Sequence, residues 1–228
     1  MMSSPSVIVF DVNETLSDMS PMATRFAEVG APEAMAPLWF ATLLRDGFAL
    51  AAAGDNARFG QIGADILHRL LGRVSLLMDP GQAVGHVMDG LSSLALHPDV
   101  RQGILGLEAG GYRLVTLSNG SSMLAERLFT DAGIKGSFER LLTVEDADAW
   151  KPAAASYAYA SAACGVEPGR MLLVAVHPWD IHGASRAGLG TVWLNRTQET
   201  YPSYFTQPDL VIDGLADLAA ALGPAAPA

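Results

Sequence analysis

The chain is short of cysteine, of positive charge and of long apolar runs, and each shortage removes a class of function. Its single cysteine among 228 residues, Cys164, cannot close an intrachain disulfide, which suits a reducing compartment. Lysine and arginine together number 14 against 24 acids, a formal charge of -10. No basic stripe is available to release counterions from a nucleic-acid backbone, so nucleic acid is excluded as a partner. An anionic substrate has to be held by a few local donors, not by the field of the whole molecule. Apolar stretches such as LSSLAL fall well short of the ~20 residues that span a bilayer, so no membrane-spanning helix and no membrane partner is expected. The opening MMSSPS lacks the basic segment of a secretion signal, and the expected location is the cytoplasm.

What is present suits a compact globule. Half of the residues are hydrophobic and 17% are charged, a balance that argues against disorder. Four apolar runs rich in β-branched residues read as strands covered on both faces: VIVF at 7–10, RLVTLS at 113–118, MLLVAV at 171–176 and TVWL at 191–194. DLVI at 209–212 is a briefer fifth. Helix-length segments, one opening near Ser121 and another after Pro152, separate the later strands. This alternation predicts an α/β fold, a parallel sheet flanked by helices. From about Pro21 to Leu96 the pattern changes to helical spacing, as in Phe40, Leu43, Leu44 and Phe48, then Ile62, Ile66 and Leu70, with no strand predicted. This is a helical insertion after the first strand, and HPDV at 97–100 marks the return. The closing GPAAPA reads as a frayed tail.

Ligands of open parallel sheets bind beyond the carboxyl ends of the strands. The first strand ends at Asp11, with Thr15 in the turn beyond. The second delivers Ser118 and Asn119, Lys151 follows the next stretch, and His177 and Asp180 follow MLLVAV. Taken singly, each has an ordinary explanation as a turn, cap or surface residue. Their shared placement makes a functional site the better reading.

FDVNETL, LSNGS, WKP and HPWD, in this order and at these separations, resemble the four motifs of the haloacid dehalogenase superfamily. LSNGS, KPAAASY and WDIHGA are most similar to its type II L-2-haloacid dehalogenases. The resemblance covers nearly the whole chain. It implies a Rossmann-like core of residues 1–18 and 97–228 carrying a helical cap of residues 19–96, often as homodimers. It implies Asp11 as nucleophile, Ser118 and the backbone N–H groups of Val12 and Asn13 as receivers of a substrate carboxylate, and Asn119 beside the leaving halide. Lys151 would orient Asp11, Asp180 would position Lys151 and the hydrolytic water, and Thr15 would fasten the loop. Tyr157 and Trp179 would support the substrate.

The acid missing at position 13 chooses between two chemistries. Phosphatases of the superfamily protonate an alkoxide leaving group from an Asp two residues after the nucleophile, a contribution of about 10²–10⁴-fold. Asn13 has no such proton to give, and a halide leaves as a stable anion without one. Lys151 can balance the charge of Asp11 as Mg²⁺ does in phosphoryl transfer, so no metal or other cofactor is expected. The predicted reaction is hydrolysis of L-2-haloacids to 2-hydroxy acids through an aspartyl ester. The competing readings are a Mg²⁺-dependent phosphatase and a ligand-binding protein that has lost turnover.

The chain departs from the family at three places. Phe40 stands in PLWFATLLR where the dehalogenases carry a halide-receiving arginine, and Arg45 lies too far round a helix to replace it. Ala175 and His177 replace a serine and an asparagine. A neutral His177 could take a proton from the hydrolytic water. Glu14 stands where a glycine usually follows. The other histidines, His68, His86, His97 and His182, carry no predicted role, and Trp39 and Phe48 read as residues of the cap core.

Overall fold

The computed structural model describes residues 5–147 and 149–225. The chain runs through β1 (Val7–Phe10), β2 (Ser17–Asp18), α1 (Met22–Glu28), α2 (Met35–Ala53), α3 (Phe59–Leu71), α4 (Pro80–Ser92) and β3 (Ala95–Leu96). It continues with α5 (Val100–Ala109), β4 (Arg113–Ser118), α6 (Ser122–Asp131), β5 (Arg140–Thr143) and α7 (Ala154–Cys164). It closes with β6 (Met171–Ala175), α8 (Pro178–Arg186), β7 (Gly190–Leu194), β8 (Leu210–Ile212) and α9 (Ala216–Leu222).

Six strands form one parallel sheet in the order β5-β4-β1-β6-β7-β8. β1 is central, with Phe10 opposite Thr116 on one side and Val174 on the other. Side chains alternate across a strand, and both faces of β1 are buried. Val7 and Val9 pack with Tyr157 of α7 and Ile181 of α8, while Ile8 and Phe10 pack with residues of α5, α6 and α9. Double burial explains the unbroken apolar runs. The strand that the sequence pattern missed, β5, lies at the sheet edge, and its first residue, Arg140, is exposed. Only half of RLLT is buried, so it shows no apolar run.

The helices α1 to α4 lie between β2 and β3, which pair antiparallel, Ser17 with Leu96 and Asp18 with Ala95. The insertion is thus fastened where it leaves and where it returns. β3 corrects the expectation of a strand-free stretch to Leu96: its two residues, Ala95 and Leu96, are not buried and are too few to mark a strand. Trp39 is fully buried and donates from Nε1 to the Gly63 carbonyl at 3.0 Å, as expected of a core residue.

Trp150 joins the insertion to the sheet. Its Nε1 donates to the Ala57 carbonyl at 2.9 Å, and its ring stacks on Phe59 with centroids 6.1 Å apart. The ring lies against α2 at Gly47, where an added Cβ would fall 2.4 Å from it. This aromatic immediately precedes Lys151, so the helical layer helps to fix the lysine. The tail is also anchored, contrary to expectation, as far as it is described. Tyr112 Oη donates to the Gly223 carbonyl at 3.1 Å, and the Ala225 N–H to the Gly110 carbonyl at 2.9 Å. Residues 226–228 of the predicted tail lie outside the described residues. Among the described residues, no helix is long and apolar enough to cross a membrane.

Gly47→Ala should destabilise the protein by about 1–3 kcal/mol, the usual cost of overpacking. A lower midpoint of urea unfolding at unchanged slope is the expected result. An unchanged midpoint would show that Trp150 shifts freely.

Candidate active site

The parallel order brings the carboxyl ends of β1, β4 and β6 together, and the polar residues beyond them converge. Asp11 follows β1, with its N–H on the Val174 carbonyl at 3.1 Å and only 3% of its surface exposed. The chain then folds back sharply. The Val12 carbonyl accepts from the N–H groups of Leu16 and Ser17 at 2.9 and 3.0 Å, and the Val12 side chain enters the core. This turn aims Thr15 at the strand end. Its hydroxyl donates to Asp11 Oδ2 at 2.6 Å and accepts from the Val176 N–H at 3.1 Å. Arg196 holds the same turn by donating to the Thr15 carbonyl at 3.0 Å.

Lys151 is fully buried, and its Nζ donates to Asp11 Oδ1 at 2.9 Å and to Asp180 Oδ2 at 2.5 Å. Asn119 fixes its backbone, accepting from the Lys151 N–H at 2.9 Å and donating to the Lys151 carbonyl at 3.3 Å. Predicted as a partner of the halide, Asn119 is thus first a clamp on the lysine. Tyr157, expected to support the substrate, donates to Asp180 Oδ1 at 2.6 Å from a fully buried position. Gly183, one turn beyond Asp180, makes room for it: an added Cβ would lie 2.6 Å from Tyr157 Oη. Ser118 is buried at the end of β4, and its hydroxyl accepts from the Gly120 N–H at 2.9 Å. A Cβ on Gly120 would be 3.2 Å from both Ser118 Oγ and Asn13 Nδ2, so this glycine lets the two loops approach.

The charges are ordered by burial. Burial alone would protonate Asp11, but the Lys151 ammonium and a hydrogen bond from His177 outweigh it and hold the carboxyl well below the usual range. Lys151 resists the same burial because two carboxylates face it, and its proton is held more tightly than usual. Burial raises Asp180, and Lys151 only partly opposes the shift. Burial and the Asp180 carboxylate also push the Tyr157 phenol far up, so it stays a donor. The space between the two carboxylates is filled by the ammonium, and a divalent cation there would meet a like charge. Among the described residues, no cluster of three or more His, Cys, Asp and Glu side chains is arranged to hold a metal ion.

His177 stands just before α8 and lies between two acids. Its Nδ1 is 3.1 Å from Asp11 Oδ2 and its Nε2 is 2.8 Å from Glu14 Oε2. Burial opposes protonation, but the two carboxylates push the imidazole up to about 9. The expected neutral base is therefore an imidazolium at rest, with no lone pair to take a proton. Glu14 was a departure with no predicted role, and here it is the partner of His177. Its φ of 61° is one that glycine adopts freely and side-chain residues avoid. His97 supports the turn by hydrogen-bonding the Glu14 carbonyl at 3.0 Å. Neither His97 nor Arg196 was foreseen, because each acts on a backbone carbonyl and leaves no motif.

An aromatic wall completes the site. Trp179 stacks on His177 with centroids 4.9 Å apart, and Lys151 Nζ lies 5.9 Å from the centre of a Trp179 ring. Phe48 meets Trp179 edge-on at 4.9 Å, so it belongs to this wall and not to the interior of the helical insertion. Phe40 faces His177 at 6.4 Å between centroids. Arg45 points away, as expected, and pairs with Asp46 at 2.7 Å. A cavity of about 520 Å³ opens here, with Glu14, Phe40, His177, Trp193 and Arg196 on its walls.

With this geometry in place, the comparisons with known proteins are specific. A family model described as haloacid dehalogenase-like hydrolase matches residues 5–188. The haloacetate dehalogenase H-2 of Moraxella sp. (strain B) is 28% identical over 207 residues, covering 90% of this chain and 92% of the relative. The (S)-2-haloacid dehalogenase 4A of Burkholderia cepacia is 29% identical over 210 residues, covering 91% and 90%. A solved structure of an L-2-haloacid dehalogenase superposes with a TM-score of 0.89 at 27% identity, covering 96% of this chain and 99% of that one.

The imidazolium makes a prediction about stability. Its proton affinity rises on folding from 6.5 to about 9. Its contribution is therefore complete below pH 6.5 and is lost as pH rises through 9. The thermal midpoint of the wild type should fall across that interval, and His177→Asn should flatten the fall. Parallel slopes would contradict the pairing with Asp11 and Glu14. Asp11 acts in the opposite sense: its lowered proton affinity stabilises the fold at neutral pH, and that stabilisation is lost only in acid.

Proposed function

The chain belongs to the haloacid dehalogenase-like hydrolase family, and from that premise we propose that it hydrolyses L-2-haloacids to 2-hydroxy acids through an ester on Asp11. The observation that carries this reading is one ionised carboxylate, tied to a buried ammonium at 2.9 Å, with an amide at position 13 where an acid would serve alkoxide departure. The named activities of the relatives support it.

Asp11 Oδ2 is the attacking oxygen: Oδ1 turns inward to the fully buried Lys151, whereas Oδ2, held by Thr15 and His177, lies beside the imidazole that lines the open cavity. The carbon–halogen bond breaks as the Oδ2–C2 bond forms, and the halide leaves with the electron pair. Lys151 then sits on the ester carbonyl, where it can stabilise the oxyanion that develops when water adds. Ser118 and the N–H groups of Val12 and Asn13 receive the substrate carboxylate. Trp179 and Phe40 line the path of the organic group, and an aromatic edge at Phe40 replaces a cationic contact to the halide. Residues 19–96 act as a cap over a core of 1–18 and 97–228, and the enzyme works in the cytoplasm as a homodimer.

Halide should be released from a panel of 2-haloacids, including haloacetate and L-2-chloropropionate, equally with and without EDTA. Asp11→Ala should abolish release, and Asn13→Asp should not create phosphatase activity. No halide from any acid, with ligands that nonetheless raise the melting temperature, would make the chain a binding protein. Phosphate release that EDTA abolishes would favour the phosphatase reading.

A further inference from the structure

His177 and Glu14 are titratable groups at the site for which the reaction above has no use. They form one hydrogen-bonded path with the nucleophile: Glu14 Oε2 is 2.8 Å from His177 Nε2, and His177 Nδ1 is 3.1 Å from Asp11 Oδ2. The Glu14 side chain is 44% exposed and that of Asp11 5%, so the path leads from solvent to the buried carboxylate. Glu14 makes this contact from a backbone φ of 61°, and such outliers gather where geometry serves function. Asp180 offers no such route. It is fully buried, with one oxygen on Lys151 and the other on Tyr157. His177 instead touches Asp11 on one side and lines the open cavity on the other.

We propose that His177 is the general base that hydrolyses the aspartyl ester, and that Glu14 positions it and passes its resting proton to solvent. This rests on the covalent route proposed above. Asp11 from β1 and Glu14 from the turn touch the imidazole directly, and Phe40 of α2 and Trp179 of α8 face its ring. Lys151 reaches Asp11, Asp180 and the Trp179 ring, while His97 and Arg196, which share the cavity wall with His177, bond the backbone of the turn and, for Arg196, Asp99. Both groups in direct polar contact are therefore anions. When Oδ2 is alkylated, the charge of Asp11 disappears, and one of the two anions that hold the imidazolium proton is gone. The proton leaves through Glu14, and the neutral imidazole is left beside the ester.

Water then attacks the ester carbonyl carbon and gives a proton to Nδ1. The tetrahedral adduct collapses by breaking the bond from that carbon to Oδ2, and the departing oxygen takes the proton back from the imidazolium. Asp11 is left as the acid and returns its proton to His177, which restores the resting pair. The sum is one water consumed, with one halide, one proton and one hydroxy acid released. The nucleophile thus switches on its own base by becoming an ester.

Two measurements test this. In the first, wild type and His177→Gln are mixed with excess haloacid, with halide followed rapidly and the Asp11 peptide weighed. The variant should release about one halide per enzyme in a burst, accumulate the ester and hydrolyse it about 10²-fold or more slowly. Equal slowing of both steps without accumulated ester would overturn the proposal. With Glu14→Gln, the pH at which ester hydrolysis reaches half its maximum should fall, since an anion that raises the imidazole is removed. An unmoved profile would overturn the role of Glu14. The second measurement needs no substrate: His177 is titrated by NMR in wild type and in Asp11→Asn, whose amide mimics the neutral ester. The imidazole should titrate about one to three pH units lower in the variant, and equal titration would overturn the proposal. A wild type that releases no halide would overturn the functional reading, while the NMR titration still decides the charge coupling.

Discussion

The site depends on one ammonium placed between two buried carboxylates. Lys151 is 2.9 Å from Asp11 and 2.5 Å from Asp180, with no part of it exposed. Burying such a group costs several kcal/mol unless geometry and further hydrogen bonds repay it, and much of the surrounding structure serves that repayment. Asn119 clamps the lysine backbone, Tyr157 saturates the far oxygen of Asp180, and Gly183 leaves the room that Tyr157 needs. Trp150 fixes the preceding residue against the helical insertion. The outcome is a carboxylate that stays ionised in a buried place, which suits the attack on carbon proposed for it.

The departures from the family form a second layer on this base. A glycine position filled by Glu14 and an asparagine position filled by His177 are separate oddities in the sequence, yet the fold sets them 2.8 Å apart. They make sense as one change. The pair adds a cation beside Asp11, on the side where Phe40 presents an aromatic ring. Charge near Asp11 therefore comes from the carboxyl ends of the central strands β1 and β6, while the insertion contributes apolar surface.

The core of the fold was legible because it is encoded in short-range patterns. VIVF, RLVTLS, MLLVAV and TVWL are buried on both faces, and their apolar runs announce it. The strand-end rule then pointed to Asp11, Lys151, His177 and Asp180, which the fold links by hydrogen bonds. Features that rest on partners distant in sequence were hidden. β5 is an edge strand with an exposed start, and β3 needs β2 to be a strand at all. The work of Tyr157 on Asp180, of Asn119 on a backbone and of His97 and Arg196 on turn carbonyls depends on side-chain direction, which spacing does not encode. The resting charge of His177 was misjudged for the same reason, since the sequence gives no distance to Glu14.

The most direct test of a covalent Asp11 is a single turnover in ¹⁸O-labelled water with enzyme in excess over a 2-haloacid. The account predicts that the label enters the Asp11 carboxylate and that the first hydroxy acid released carries unlabelled oxygen at C2. Label in the product alone, with an unlabelled Asp11 peptide, would contradict it.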